Sequence, residues 1–422
     1  MIKVKIPGSK SITQRALICA SLANGISILK NPLFSEDTEL LINGLKCLGI
    51  KIKKDNTSLI VNGNSGKFKS SGKKEIYMGN NGTGLRFLIA LSCFYPDEVI
   101  ITGNNRMKNR PVNELVDALN SAGFSILYIE NRGYPPVLIK GNLSVEHKFK
   151  SKIKIKSTKS SQFVSAILLA GVLFKNGLIL EVNENIPSKP YIDITLQVMK
   201  YFGVEVGKNS SHFTVYPSSY ESKIYNIEGD FSSASYFMAL PFFSNNEVLV
   251  ENLNYNYSFQ PDKKIIDILK KMGAEIDIKE NSIIVKPSKL NGIEIDMNEC
   301  PDIVPTVAVI SSISEGETII KNIKHLRYKE SDRIFAIEKN LKKFGINVKS
   351  GEDFLIINGD REKIMQIKDE IVIETFDDHR IAMSFALFKL SGLNIKFDNQ
   401  NCVKKSFPQF WEMFNLRLVE VS

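Results

Sequence analysis

The sequence predicts an α/β protein built from six similar repeats, grouped as two domains of three. Two observations predict this. An amphipathic helix pattern ending in glycine returns every 70–80 residues along the 422-residue chain. A second helix pattern, apolar on nearly every face, alternates with the first. The composition allows such a fold: 43% hydrophobic and 24% charged residues is ordinary for a globular chain, and the length suits two or three domains.

Taken in order, residues 2–6 read as a strand that precedes the first repeat and can pair with the C-terminal domain. The amphipathic helices end at Gly49, Gly123, Gly203, Gly273 and Gly345, spaced by 74, 80, 70 and 72 residues. Glycine after the last helical turn supplies the left-handed cap. The alternation that follows each one reads as a half-buried strand. A sixth amphipathic helix is expected from Phe407. The apolar helices begin in polar clusters marked by Ser11, Gly82, Ser160, Ser232, Asp302 and Asp378, in steps of 71, 78, 72, 70 and 76 residues. A helix apolar all round must be buried. Each repeat therefore holds one buried helix, one amphipathic helix and several short strands. Three repeats to a domain place residues 10–229 in one, and residues 1–9 with 230–422 in the other. The second crossing falls near residues 229–230.

The net charge of +9 admits either a nucleic-acid binder or an enzyme for anionic substrates. The basic residues are spread over helix starts, not interleaved with aromatics on one exposed element, which favours the enzyme. Cys19, Cys47, Cys93, Cys300 and Cys402 lie too far apart for a zinc knuckle. They point to a reducing compartment. The first residues are too charged for a signal peptide, and the longest uncharged apolar run, 160–174, is shorter than a membrane span of about 20 residues. A soluble cytoplasmic protein is expected, without metal or cofactor.

The chemistry is concentrated at helix starts, where unpaired N–H groups and the helix dipole favour anions. Lys10, Ser11 and Arg15 open the first buried helix. The run 79–84, Gly-Asn-Asn-Gly-Thr-Gly, opens the second, with Arg86 one turn in. Ser160, Ser161 and Gln162 open the third, and His379 and Arg380 the sixth. Taken alone, the glycine run is a tight turn and the serine pair an N-cap. Their recurrence at one place in several repeats argues for a shared anion site. Arg110 and Arg333 also stand at helix starts, where a cation is unfavourable unless an anion is present. Asp302 reads either as a cap or as a functional carboxylate. Glu330, between Lys329 and Arg333, is a candidate acid or base.

These segments together resemble the 5-enolpyruvylshikimate-3-phosphate synthase family. The matching motifs are Pro7-Gly8-Ser9-Lys10-Ser11 with Arg15, the 79–83 run with Arg86, and Arg106-Met107-Lys108-Asn109-Arg110-Pro111. Ser160-Ser161-Gln162-Phe163, Ser188-Lys189-Pro190-Tyr191, Glu228-Gly229-Asp230 and Pro301-Asp302 follow. Lys329-Glu330-Ser331-Asp332-Arg333, Asp378-His379-Arg380 and Lys405-Ser406-Phe407-Pro408 complete the series. The resemblance implies two domains, each of three βαβαββ units around buried parallel helices (an inside-out α/β barrel), with the active site in the interdomain cleft. It implies transfer of the enolpyruvyl group of phosphoenolpyruvate to the 5-hydroxyl of shikimate 3-phosphate, in the pathway to chorismate and aromatic amino acids. Both partners are small molecules, and the resemblance implies a monomer that binds neither nucleic acid nor membrane.

By the same resemblance, Lys10, Gly82, Arg110, Gln162, Arg333, Arg380 and Lys405 hold phosphoenolpyruvate. Lys10, Ser11, Arg15, Ser160, Ser161, Gln162, Ser188, Tyr191, Asp302 and Lys329 hold shikimate 3-phosphate. Asp302 is the candidate base for the hydroxyl. Glu330 is the candidate acid/base at carbon, with Lys10 competing for that role. Two positions depart from the pattern: His325 stands where an Asn is expected at the acceptor phosphate, and Phe87 where many relatives carry Pro. The alternative acceptor is UDP-N-acetylglucosamine. The sister family that uses it carries a reactive Cys before the equivalent of Arg110-Pro111, and no Cys lies between Cys93 and Cys300 here.

Overall fold

The computed structural model describes residues 1–141 and 151–421. The chain divides into two compact units, Gly8–Ile227 and Met1–Pro7 with Glu228–Ser422.

The unit Gly8–Ile227 carries three four-stranded sheets of one design. A parallel pair is extended on one side by an antiparallel hairpin. In the first sheet, Ile224–Asn226 runs parallel to Asn24–Lys30, which pairs with the hairpin strand Ser58–Asn64 and through it with Lys51–Asp55. The second sheet has Lys74–Tyr77 parallel to Val99–Thr102, then Val137–Ile139 and Ile126–Tyr128. The third has Lys152–Ile155 parallel to Leu178–Val182, then His212–Val215 and Val206–Lys208. Parallel neighbours need a crossover. In the second and third sheets it is a buried helix, Gly82–Ser92 or Gln162–Ala170; Lys10–Leu22 is their counterpart ahead of Asn24–Lys30. The amphipathic helices Glu36–Cys47, Asn113–Ser121 and Pro190–Tyr201 lead into the hairpins.

The other unit repeats this design. Ile2–Lys5 runs parallel to Val248–Glu251, which continues into Ser282–Val285 and Ile276–Ile278. Glu294–Asp296 runs parallel to Glu317–Lys321, followed by Leu355–Asn358 and Asn347–Ser350. The last sheet is only the parallel pair Ile371–Ile373 and Ile395–Phe397. The sixth repeat thus keeps the β-α-β-α order, with no closing hairpin among the described residues.

Local sequence explains the elements. Every residue of Phe231–Met238, Val304–Ser311 and His379–Phe385 is buried, as apolar faces all round require. Hydroxyls join these three helices: Ser235 Oγ lies 3.0 Å from Thr306 Oγ1, which lies 3.3 Å from Ser384 Oγ. The five capping glycines all have positive φ, from 68° at Gly345 to 106° at Gly123, a conformation costly for other residues. The sixth amphipathic helix starts at Phe410, not Phe407. Pro408 disfavours helical backbone at Phe407, whose side chain is buried instead ahead of the helix. The side chains of Arg417 and Leu418, in the expected sixth pattern, lie outside the described residues.

Candidate active site

The predicted residues form two clusters, one in each unit. In Gly8–Ile227, Lys10 is the first residue of its helix, and its Nζ lies 3.1 Å from Asp37 Oδ2. Arg15, one turn on, is 1% exposed. Its Nε donates to Thr195 Oγ1 at 2.7 Å, Nη1 to the Ser11 carbonyl at 2.9 Å and Nη2 to the Tyr191 carbonyl at 3.2 Å. Burial pushes its pKa down to about 10, and its guanidinium faces the Phe87 ring at 5.4 Å. Phe87 thereby occupies the helix face that Arg15 packs on.

The glycine run is shaped by a guanidinium. Arg110 Nη1 donates to both oxygens of Asn80, at 3.0 and 3.1 Å. A Cβ on Gly82 would fall 2.7 Å from Arg110 Cζ, so only glycine lets the arginine lie flat on the helix start. Asn81 caps the helix by accepting from Gly84 N at 2.9 Å, and its Nδ2 donates to the Asp37 carbonyl at 2.6 Å. Arg86 donates to Gln162 Oε1 and to the Pro111 carbonyl. Gln162 Nε2 donates to Thr83 Oγ1 at 3.0 Å. Ser160 Oγ accepts from Gln162 N at 3.2 Å, and Ser161 is buried beside it. Ser188 takes a left-handed φ of 58° next to the helix that begins at Pro190 and carries Tyr191. Lys10, Ser11, Arg15, Gly82, Arg110, Ser160, Ser161, Gln162, Ser188 and Tyr191 thus all belong to the starts of five helices or to the turns that enter them.

In the other unit, Arg333 is the hub. It is 1% exposed at the start of Arg333–Lys343. Nε donates to Asp378 Oδ2 at 2.8 Å, Nη2 to Asp378 Oδ1 at 3.3 Å and Glu330 Oε2 at 2.8 Å, and Nη1 to Asp302 Oδ1 at 3.0 Å. Burial opposes its charge, but Asp378, Glu330 and Asp302 outweigh that and hold its pKa above the ordinary value. The anions that a cation at a helix start demands are therefore the chain's own carboxylates. Asp302 sits in the turn Pro301–Ile303. Its side chain does not cap the following helix: it bridges two guanidinium groups, with Oδ2 2.7 Å from Arg380 Nη2. Arg380 also reaches Tyr236 Oη at 3.4 Å, whose pKa burial pushes up to about 12. Lys329 is half-buried just before Glu330, and Lys405 is buried in the turn Gln400–Lys405. His325 is 6% exposed, and burial, then Lys329, lowers its pKa to about 3. Its imidazole is therefore neutral near pH 7 and can offer one N–H.

Three contributors were given no site role in the sequence. Asp37 lies in an acidic first helical turn, where it reads as a dipole partner. Tyr236 lies in an apolar run. Asp378 caps Arg380 N at 3.0 Å, accepts from Ser331 Oγ at 3.0 Å and grips Arg333; its N-cap position was the available signal. No group of residues with metal-ligand geometry, and no helix long and apolar enough to cross a membrane, occurs among the described residues.

The family model for EPSP synthase (3-phosphoshikimate 1-carboxyvinyltransferase) matches residues 2–414. The chain is 40% identical to the 3-phosphoshikimate 1-carboxyvinyltransferase of Buchnera aphidicola subsp. Baizongia pistaciae, over 97% of this chain and 94% of that one. It is 41% identical to the enzyme of that name from Haemophilus influenzae, over 97% and 95%. An EPSP synthase structure from Acinetobacter baumannii superposes with a TM-score of 0.79 at 27% identity, covering 98% of this chain and 95% of that one.

Proposed function

The chain belongs to the EPSP synthase family, and from that premise we propose that its two clusters carry one reaction, each unit supplying part of the machinery. The reaction is transfer of the enolpyruvyl group of phosphoenolpyruvate to the 5-hydroxyl of shikimate 3-phosphate, releasing phosphate. The observation that carries this reading is the family match from residue 2 to 414, with its motifs concentrated at helix starts.

Both substrates are polyanions, and arginine meets carboxylate and phosphate through paired N–H donors. Lys10, Gly82, Arg110, Gln162, Arg333, Arg380 and Lys405 hold phosphoenolpyruvate. Lys10, Ser11, Arg15, Ser160, Ser161, Gln162, Ser188, Tyr191, Asp302 and Lys329 hold shikimate 3-phosphate. In the addition step, Asp302 takes the proton of the 5-hydroxyl while the oxygen of that hydroxyl bonds to C2 of phosphoenolpyruvate. A proton is delivered to the methylene carbon, making a methyl group. In the elimination step, that methyl loses a proton, the double bond re-forms and the C2–O bond to phosphate breaks. Glu330 handles the proton at carbon, and the shared guanidinium of Arg333 supports placing it beside Asp302. Lys10, in the other unit, is the competing assignment.

The enzyme works as a cytoplasmic monomer on small molecules, without nucleic-acid or membrane partners. The wide spacing of the five cysteines along the chain supports a reducing compartment. The test is phosphate release from phosphoenolpyruvate, with shikimate 3-phosphate and UDP-N-acetylglucosamine offered in parallel. Release with shikimate 3-phosphate alone is expected. Release only with the nucleotide sugar would overturn the acceptor assignment.

A further inference from the structure

We propose that Asp302 competes with phosphoenolpyruvate for Arg333 and Arg380, so that the donor must displace it before the arginines can act. The proposal rests on the assignment of Arg333 and Arg380 to phosphoenolpyruvate. It concerns five side chains within one unit.

The first observation is geometric. Asp302 places one oxygen on each arginine, Oδ1 on Arg333 Nη1 at 3.0 Å and Oδ2 on Arg380 Nη2 at 2.7 Å. A substrate carboxylate held by the same two guanidinium groups needs this bridging arrangement. Asp302 and the donor therefore compete for the same N–H groups.

The second is charge. Asp302, Glu330 and Asp378 face Arg333 and Arg380, three formal negative charges against two positive. A cluster of net −1 does not attract a polyanion. Removing Asp302 from it brings the balance to zero and releases two N–H donors together.

The third is exposure within the cluster. The Asp378 side chain is fully buried and fixed by Ser331, Arg333 and Arg380 N, and that of Glu330 is 10% exposed. The Asp302 side chain is 20% exposed, the most open of the three. It is the carboxylate that can leave with least loss of burial.

The consequence links binding to chemistry. While Asp302 bridges the arginines, both of its oxygens are engaged, and it is poorly placed to accept a proton from the acceptor hydroxyl. Arrival of the donor carboxylate releases it. The base becomes available when the group it must serve is in place, and the arginines are never left as buried unpaired charges.

The experiment measures phosphoenolpyruvate binding, without acceptor, to the unaltered chain, Asp302→Asn, Asp302→Ala and Arg380→Lys. Asp302→Asn and Asp302→Ala are expected to bind phosphoenolpyruvate about tenfold more tightly, the scale of one charge-assisted contact. Equal or weaker binding by the folded variants overturns the proposal. Arg380→Lys separates it from the reading beneath it. If that change leaves phosphoenolpyruvate affinity untouched, the donor assignment itself is wrong. If it weakens binding while the Asp302 variants gain nothing, only the displacement idea fails. A crystal structure of the unaltered chain with phosphoenolpyruvate provides a check independent of variant folding. Asp302 is expected to have left both guanidinium groups; a bound donor with both Asp302 contacts intact overturns the proposal.

Discussion

His325 shows at residue scale how burial sets an acid limit on this protein. It is 6% exposed, its Nε2 has no hydrogen-bond partner among the described residues, and Lys329 and Arg333 oppose its protonation while Asp302 favours it. Burial dominates and lowers its pKa to about 3, against about 6.5 in the unfolded chain. Between these values the unfolded chain binds a proton that the folded chain refuses. The stability difference is therefore whole above the unfolded value and is lost as pH falls below it. At pH 5 this one group removes about 2 kcal/mol. His325→Asn, which keeps an N–H donor and cannot titrate, is expected to lose less stability than the unaltered chain between pH 7.5 and pH 5. Urea unfolding at the two pH values checks this, and equal losses would contradict the assignment of a refused proton to His325. The same residue marks a limit of the sequence. The motifs contain Arg333 and Arg380 and the carboxylates Asp302, Glu330 and Asp378, but do not say which carboxylate holds which arginine. Asp378 meets Arg333 across 45 residues, and no local pattern encodes such a pairing.

At the scale of elements, the hydroxyls on the buried helices carry the polar part of the core. Ser235, Thr306 and Ser384 are each fully buried, and their contacts run across three helices of one unit. In Thr306→Val a methyl replaces the hydroxyl at nearly the same volume. Ser235 still donates to the Ser232 carbonyl at 2.7 Å, but the link between helices is gone. The expected cost is about 1–2 kcal/mol, read as a lower midpoint in thermal or denaturant unfolding; an unchanged midpoint would show that the chain of hydroxyls contributes nothing net. Helix types were legible in the sequence because each has its own signature: the glycine cap for the amphipathic series, and apolar residues on all faces for the buried series. Strand partners were less legible. Ile224–Asn226 pairs with Ile28–Lys30, and a three-residue strand carries too little pattern to name a partner that distant. The start of the last helix was misread because Pro408 acts on the residue before it.

At the scale of the whole molecule, the two units differ in how the chain supplies them. Gly8–Ile227 contains every strand of its three sheets, including Ile224–Asn226, which closes the first sheet from the unit's own far end. Glu228–Ser422 does not. Its first sheet needs Ile2–Lys5, the opening strand of the chain, whose Ile2 and Val4 are 4% and 1% exposed. Burying two such side chains contributes about 3–6 kcal/mol, a large share of the stability of an ordinary domain. Without that strand, Val248–Glu251 becomes an exposed edge. The expectation is an asymmetry between fragments. Residues 8–227 expressed alone should give a cooperative unfolding transition. Residues 228–422 alone should unfold at markedly lower denaturant or aggregate. Joining residues 1–7 to the front of 228–422 should restore a cooperative transition, because Pro7 and Glu228 belong to the same unit and Asp230 N already donates to the Pro7 carbonyl at 3.1 Å. A transition in 228–422 that is unaffected by the added residues would show that the sheet does not depend on its borrowed strand.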